Sequence, residues 1–228
     1  MVAAAGGGMA AAVTTGPRAP APADIPPGGA GPGGQRGFAP SAPWRHSPGG
    51  IPAGEARMYT VAIGDKAYSN WSMRGWLLLA AFRIRFEEET VPMYTAAFEA
   101  MQRERAPART VPMIEWREEG RVRRVWDSLA IAETLAERHP AAGIWPRDRR
   151  LREIARCLAA EMHSGFEVLR RACPMNLHRD GRPLPEPPDG LEADLDRLAA
   201  LWTWALAETG GPWLAGPEFS AADAFHAP

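Results

Sequence analysis

The chain has 228 residues, room for one large domain or two small ones, and a formal charge of −1 at neutral pH, so neither nucleic acid nor an anionic membrane is expected as a partner. No apolar run approaches the ~20 residues that cross a bilayer. The two cysteines, Cys157 and Cys173, are too few and too far apart for a zinc site or a CxxC redox pair, so no metal is expected. They read instead as a buried thiol on a helix and a thiol at a helix end, in a cytoplasmic protein. Lys66 is the single lysine among 26 basic residues. With the abundant Ala, Gly and Pro, that bias reads as G/C-rich coding rather than as heat adaptation.

Residues 1–57 hold 13 Gly and 10 Pro with no apolar periodicity, a composition that does not offset the entropy of folding. They are expected to be disordered. The segment has neither the continuous apolar core of a secretory signal nor the amphipathic Arg/Ser pattern of an organellar presequence. Met58, just before the first strand, is a natural alternative start.

From Met58 the pattern changes. Tyr59–Ile63 reads as a strand ended by Gly64-Asp65. Met73, Trp76, Leu77, Ala80, Ala81 and Ile84 recur at helical spacing and predict one apolar helix face. Phe86–Val91 is a second strand closed by Pro92, and Thr95–Arg105 a short helix. Met113–Trp116 and Arg121–Trp126 flank a hairpin turn at Glu118-Glu119-Gly120. Ser128 is expected to cap a helix running to Arg138 before His139-Pro140.

After a linker over 141–147 the period becomes purely helical. Leu151, Ile154, Ala155, Leu158, Met162, Gly165 and Leu169 form one stripe; Leu191, Leu195, Leu198, Trp202 and Ala205 form another. Pro174–Gly190 between them reads as loop. The switch of period near residue 145 marks a domain boundary. His163 and Phe166 on the first of these helices, which would face a cleft between the domains, read as structural residues.

Three groups of residues have the chemistry of a binding site, and each also has an ordinary structural explanation. Ser69, Trp71, Ser72 and Arg74 lie at a strand-to-helix junction, where free N–H groups and the helix dipole stabilise a thiolate. The serines are equally natural N-caps, and Arg74 a surface charge. Asp127-Ser128 opens a helix, as a carboxylate-binding N-terminus or as an acidic cap. Val111-Pro112 precedes a strand.

The ordered set Ser69-Asn-Trp-Ser-Met-Arg74, Val111-Pro112 and Asp127-Ser-Leu-Ala-Ile-Ala-Glu133 resembles the glutathione S-transferase family over 58–228. The resemblance implies a thioredoxin-like α/β domain over 58–140 and an all-α domain over 148–228. It further implies glutathione as co-substrate and a small electrophile as its acceptor. Ser69 matches the sulfur-contacting hydroxyl, with Ser72 as its competitor, and Arg74 the Arg that follows. Tyr59 is a remote candidate for the tyrosine of other classes. The resemblance makes the Val111-Pro112 bond cis, with the Val111 backbone pairing the cysteinyl unit, and gives the γ-glutamyl end to Asp127-Ser128. Thr110 stands where Lys, Arg or Gln is usual, so Arg109 is the substitute for the glycyl carboxylate.

Phe219-Ser-Ala-Ala-Asp-Ala-Phe225 resembles the family's folding motif, with Ser220 and Asp223 as a capping box. In the family further helices follow it, so the helical domain is expected to lack its C-terminal portion, and homodimerisation to depend on that portion. Two alternatives stay open: glutathione-dependent cis–trans isomerisation of a maleyl-type substrate, and a non-catalytic partner-binding relative.

Overall fold

The computed structural model describes residues 58–178 and 186–228, which belong to one compact unit. The expectation for residues 1–57 and the middle of the Pro174–Gly190 loop lies outside the described residues. The N-terminal half is thioredoxin-like. Strands β1 (Tyr59–Ile63), β2 (Phe86–Thr90), β3 (Met113–Glu118) and β4 (Arg121–Trp126) form one sheet ordered β2-β1-β3-β4. β1 is parallel to β2, with Tyr59 opposite Phe86, and antiparallel to β3, with Ala62 opposite Met113. A parallel neighbour requires a crossover, and helix α1 (Asn70–Ala80) supplies it. β3 continues to Glu118, two residues past its expected end. The hairpin closes on Glu119 and Gly120, both at positive φ (51° and 72°), as a type I′ turn requires.

Helix α2 (Ala96–Glu104) is capped by Thr95, whose Oγ1 accepts the Phe98 N–H at 3.3 Å. Helix α3 (Ser128–Arg138) completes this half. Then come α4 (Arg149–Ser164), α5 (Glu167–Ala172), α6 (Leu191–Thr209) and α7 (Ala221–His226).

Several predicted faces are rotated or interrupted. On α1 the buried side is Ser72, Arg74, Gly75, Leu78 and Leu79, while Trp76 and Leu77 are half-buried and Ala81 is exposed. Hydrophobicity alone misplaced this face because its centre is a glycine and a guanidinium. A Cβ at Gly75 would lie 2.3 Å from Pro112 Cβ and 2.6 Å from its Cγ, so the helix backbone rests directly on that proline. The stripe from Leu151 to Leu169 is cut after Ser164. Gly165 caps α4 in an extended conformation, and Phe166 turns the chain through φ 61° before α5. On α6, Leu191, Leu201 and Ala205 are buried, whereas Leu195 and Trp202 are exposed. Cys157 and Cys173 are both exposed, so the expectation of a buried thiol at Cys157 is corrected: it sits beside Arg156, on the side of α4 opposite Ala155 and Ala159.

One core runs through both halves. Val61, Ile63, Leu78, Leu79, Ile131 and Leu135 join Ile154, Leu158, Met162 and Phe225 in a single cluster. The segment 141–147, expected as a mere linker, contributes Ile144 and Trp145 to that cluster, and the Ile144 carbonyl accepts the Ala221 N–H at 2.8 Å. Asp223 organises the entry to α7. Its Oδ2 accepts from the Ser220 N–H (2.9 Å) and hydroxyl (3.0 Å), and its Oδ1 from the Leu214 N–H (2.9 Å). The capping box expected from Ser220 and Asp223 is present.

Two measurements test this packing. Gly75→Ala gains about 1 kcal/mol of helix propensity but forces a methyl group into the Pro112 ring, so a net loss of roughly 1–3 kcal/mol is expected in denaturant unfolding. Unchanged stability would show that α1 does not rest on Pro112. His226 accepts the Trp202 Nε1–H at Nδ1 (2.9 Å) and donates from Nε2 to the Leu158 carbonyl (3.2 Å). Protonation would turn Nδ1 into a donor facing another donor. Burial first, and Arg74 second among the unfavourable influences, depress its pKa to about 4. The unfolded chain therefore takes up this proton first: the contribution is complete above about pH 6.5 and fades as pH falls towards 4, by on the order of 2–3 kcal/mol. The stability gap between wild type and His226→Gln should shrink by that amount between pH 7 and 4. A gap independent of pH would contradict it.

Candidate functional site

The antiparallel register brings the end of β1, the start of β3 and the end of β4 to one edge of the sheet, since Met113 faces both Ala62 and Trp126. α1 begins beside this edge. Ser69 is its N-cap and its Oγ accepts the Ser72 N–H at 3.2 Å. The Ser72 Oγ accepts the Gly64 N–H at 2.9 Å and is fully buried. The two hydroxyls are therefore not equivalent: Ser72 ties the helix to the end of β1, while Ser69 closes the helix terminus and keeps its own proton to donate.

Arg74 is 1% exposed, which rules out the surface-charge explanation. Its guanidinium lies over the Trp71 ring at 4.5 Å and the Phe225 ring at 5.4 Å, while Nε and Nη1 are buried without a hydrogen-bond partner. Burial first, then the Arg170 guanidinium, pull its pKa down to about 9, and Asp127 opposes them. Arg170, from α5, covers the same Trp71 ring at 5.1 Å. Its Nε donates to the Gly165 carbonyl at 3.0 Å and its Nη2 to the Met162 carbonyl.

The Val111-Pro112 bond is cis, and both residues are buried where Gly75 passes. Arg109 and Thr110 just before them are exposed, and the Arg109 carbonyl accepts the Gln102 Nε2–H at 2.5 Å. At the start of α3 the expected cap is corrected. Asp127, not Ser128, is the N-cap, and its Oδ1 accepts the N–H groups of Leu129 (2.8 Å) and Ala130 (3.4 Å). Asp127 has φ 74°, a backbone state that costs a non-glycine residue about 1–3 kcal/mol. The carboxylate of Asp127 reaches those N–H groups, so the Ser128 hydroxyl is left buried with no partner.

Tyr59 is far from this edge in function. Its hydroxyl bonds His139 Nε2 (2.8 Å) and accepts from Arg138 Nε (3.0 Å) at the other end of α3, which corrects its candidacy as a sulfur contact. The structure also brings further residues to the site. His163, read from the sequence as a structural residue facing a cleft, places Nε2 3.3 Å from Asp127 Oδ2 and its ring against Trp71 at 5.1 Å. Arg170, Gly75 and Phe225 join the same cluster. Trp71 was the available signal, because an aromatic ring at a helix start collects cations. Among the described residues no group of His, Cys, Asp and Glu could hold a metal ion, and no helix is long and apolar enough to cross a membrane.

A family model described as the glutathione S-transferase N-terminal domain matches residues 68–138. Curated proteins give no match. Among solved structures, maleylacetoacetate isomerase from Anaeromyxobacter dehalogenans, with glutathione bound in its active site, is 27% identical at TM-score 0.54, covering 74% of this chain and 78% of that one. The same isomerase with dicarboxyethyl glutathione and citrate in its active site is 25% identical at TM-score 0.53, covering 75% and 74%. Glutathione transferase Omega 1C from Trametes versicolor, 19% identical at TM-score 0.57 over 75% and 68%, shares the fold. Residues 68–138 thus match the N-terminal domain of glutathione S-transferases, and the described fold is the one shared by these solved structures.

Proposed function

We propose that this protein binds glutathione along the sheet edge and ionises its thiol at the start of α1 for attack on an electrophilic small molecule. The observation that carries this reading is the meeting of three features at one edge: the Ser69-capped terminus of α1, the cis Val111-Pro112 bond, and the start of α3 with a buried, unpartnered Ser128 hydroxyl. The parts fit a glutathione-shaped ligand. Ser128 Oγ and the positive end of α3 suit the γ-glutamyl carboxylate, and Asp127 the neighbouring ammonium. The Val111 backbone suits the cysteinyl unit, with Arg109 and Thr110 near the glycyl end.

Ser69 is the residue proposed for the sulfur. Its hydroxyl donates to the thiolate at a helix N-terminus, and both influences favour the charged form. The thiol proton leaves to solvent, and the sulfur lone pair forms the bond to the electrophile. The remaining catalytic contribution is proximity. A second reading, thiolate addition and elimination that isomerises a maleyl-type double bond, is supported by the likeness to maleylacetoacetate isomerase.

Ser69 and Ser72 separate cleanly by experiment. Ser69→Ala should leave glutathione affinity within a few-fold and raise the bound thiol's pKa. A lost hydrogen bond to a charged group is worth about 1.5–3 kcal/mol, or roughly one to two pKa units, read from thiolate ultraviolet absorbance against pH. Ser72→Ala should cost about 1–2 kcal/mol of stability by freeing the Gly64 N–H and leave the thiol pKa unmoved. A shift in thiol pKa with Ser72→Ala and none with Ser69→Ala would reverse the assignment.

A further inference from the structure

Asp127 commits its two carboxylate oxygens differently. Oδ1 is taken by the first N–H groups of α3, Leu129 and Ala130. Oδ2 faces out of the helix, and the imidazole of His163 reaches it from α4, with Nε2 at 3.3 Å. The imidazole is held there by its rings of contact: Trp71 lies edge-on at 5.1 Å and Phe225 at 6.2 Å. Its Nδ1 is buried with no hydrogen-bond partner, and the Asp127 carboxylate is the anion within ion-pair distance of its Nε2. If a ligand ammonium is to pair with Asp127, Oδ2 is the oxygen still available to it, and His163 already stands there.

We infer that His163 is a positioning residue for the ammonium subsite, and that its protonated form competes with the ligand's α-ammonium for Asp127 Oδ2. This rests on the glutathione reading above and assigns a regulator to that same site. A neutral imidazole donates one Nε2–H and can share Oδ2 with an incoming ammonium. An imidazolium forms an ion pair with Asp127 and puts a second cation where the ammonium must sit. Ligand binding is then coupled to loss of the His163 proton.

The other charged groups packed around His163 are fixed in character. Arg74 on α1 and Arg170 on α5 both lie on the Trp71 ring. His226 on α7, next in sequence to Phe225, is turned to Trp202 and the Leu158 carbonyl. On α4 itself Glu161 pairs with Arg197. Asp127 is thus the anion in direct contact with the imidazole, and a second cation beside it is not neutralised by Arg74 or Arg170.

The test uses S-methylglutathione, which has the ammonium and both carboxylates but no ionisable thiol, so thiolate formation cannot contribute a pH dependence. Its dissociation constant is measured by calorimetry across the range in which histidines change charge, about pH 5 to 8. The fold is followed by circular dichroism over the same range. In the wild-type protein the affinity should rise with pH, approaching tenfold per unit where one proton is released on binding. His163→Gln should bind with an affinity nearly flat in pH and tighter than wild type at the acid end. The wild-type protein alone supplies a second arm: the analogue without the α-amino group should bind more weakly and show no slope. A wild-type affinity flat in pH, or one equally sloped for the deamino analogue or for His163→Gln, overturns the role of His163 and leaves the glutathione reading standing. Failure of S-methylglutathione to bind at any pH overturns both.

Discussion

The contact of Gly75 with Pro112 sets the geometry of the rest. A helix backbone resting on a proline ring, with no room for a Cβ between them, fixes how far α1 stands from the sheet edge. The middle of α1 therefore lies on Pro112, with Ser69 and Ser72 in the turns before it. Ser72 is drawn down to the end of β1 by the Gly64 N–H, while Ser69 stays at the helix mouth. Two hydroxyls three residues apart thus acquire different chemistry from a single close approach. A larger residue at 75 would separate helix and sheet and disturb every group along the edge.

The helical half is built into that edge rather than set beside it. Phe225, from the last helix described, touches both the Arg74 guanidinium and the His163 ring, and its helix is anchored by Asp223 and by the Ile144 carbonyl. Trp71 is the meeting point: it takes Arg74 from its own helix, Arg170 from α5 and His163 from α4. Cations stacked on an indole face gain on the order of 1–2 kcal/mol when desolvated, so the ring helps hold three helices around one end of the sheet. His226 couples the same region to α6 through Trp202.

The sequence made the order of elements legible because each carried its own local signal. Alternation marked the strands, Gly120 the hairpin, Ser220 with Asp223 the start of α7, and the three ligand-type motifs came out at one edge. What was not legible depended on contacts between segments distant in the chain. The buried side of α1 centres on Gly75 and Arg74, which no hydrophobicity pattern selects. The break at Gly165-Phe166 lies in an unbroken apolar stripe, and only the backbone reveals it. His163 on α4 and Asp127 on α3 lie 36 positions apart, so no spacing rule links them. The cap of α3 was misplaced by one residue because Asp and Ser are both good caps, and the Asp127 Oδ1 bonds to the Leu129 and Ala130 N–H groups decide between them.

The electrostatics of the edge follow from the same burial. A guanidinium that is 1% exposed, with two nitrogens lacking partners and a second guanidinium nearby, is a costly arrangement. In a core whose only task was packing, an apolar side chain of similar volume would serve as well or better. Asp127 gives the one opposing charge that acts on Arg74, and it divides its two oxygens between the α3 N-terminus and His163. Asp194 likewise opposes the burial of Arg170, so each guanidinium is set against one carboxylate. On the glutathione reading, a ligand anion at this edge would add to that compensation, against desolvation already incurred in folding. On these grounds the burial of Arg74 and the strained backbone of Asp127 belong together: both are costs that packing alone does not explain, and both fall where the proposed glutathione site lies.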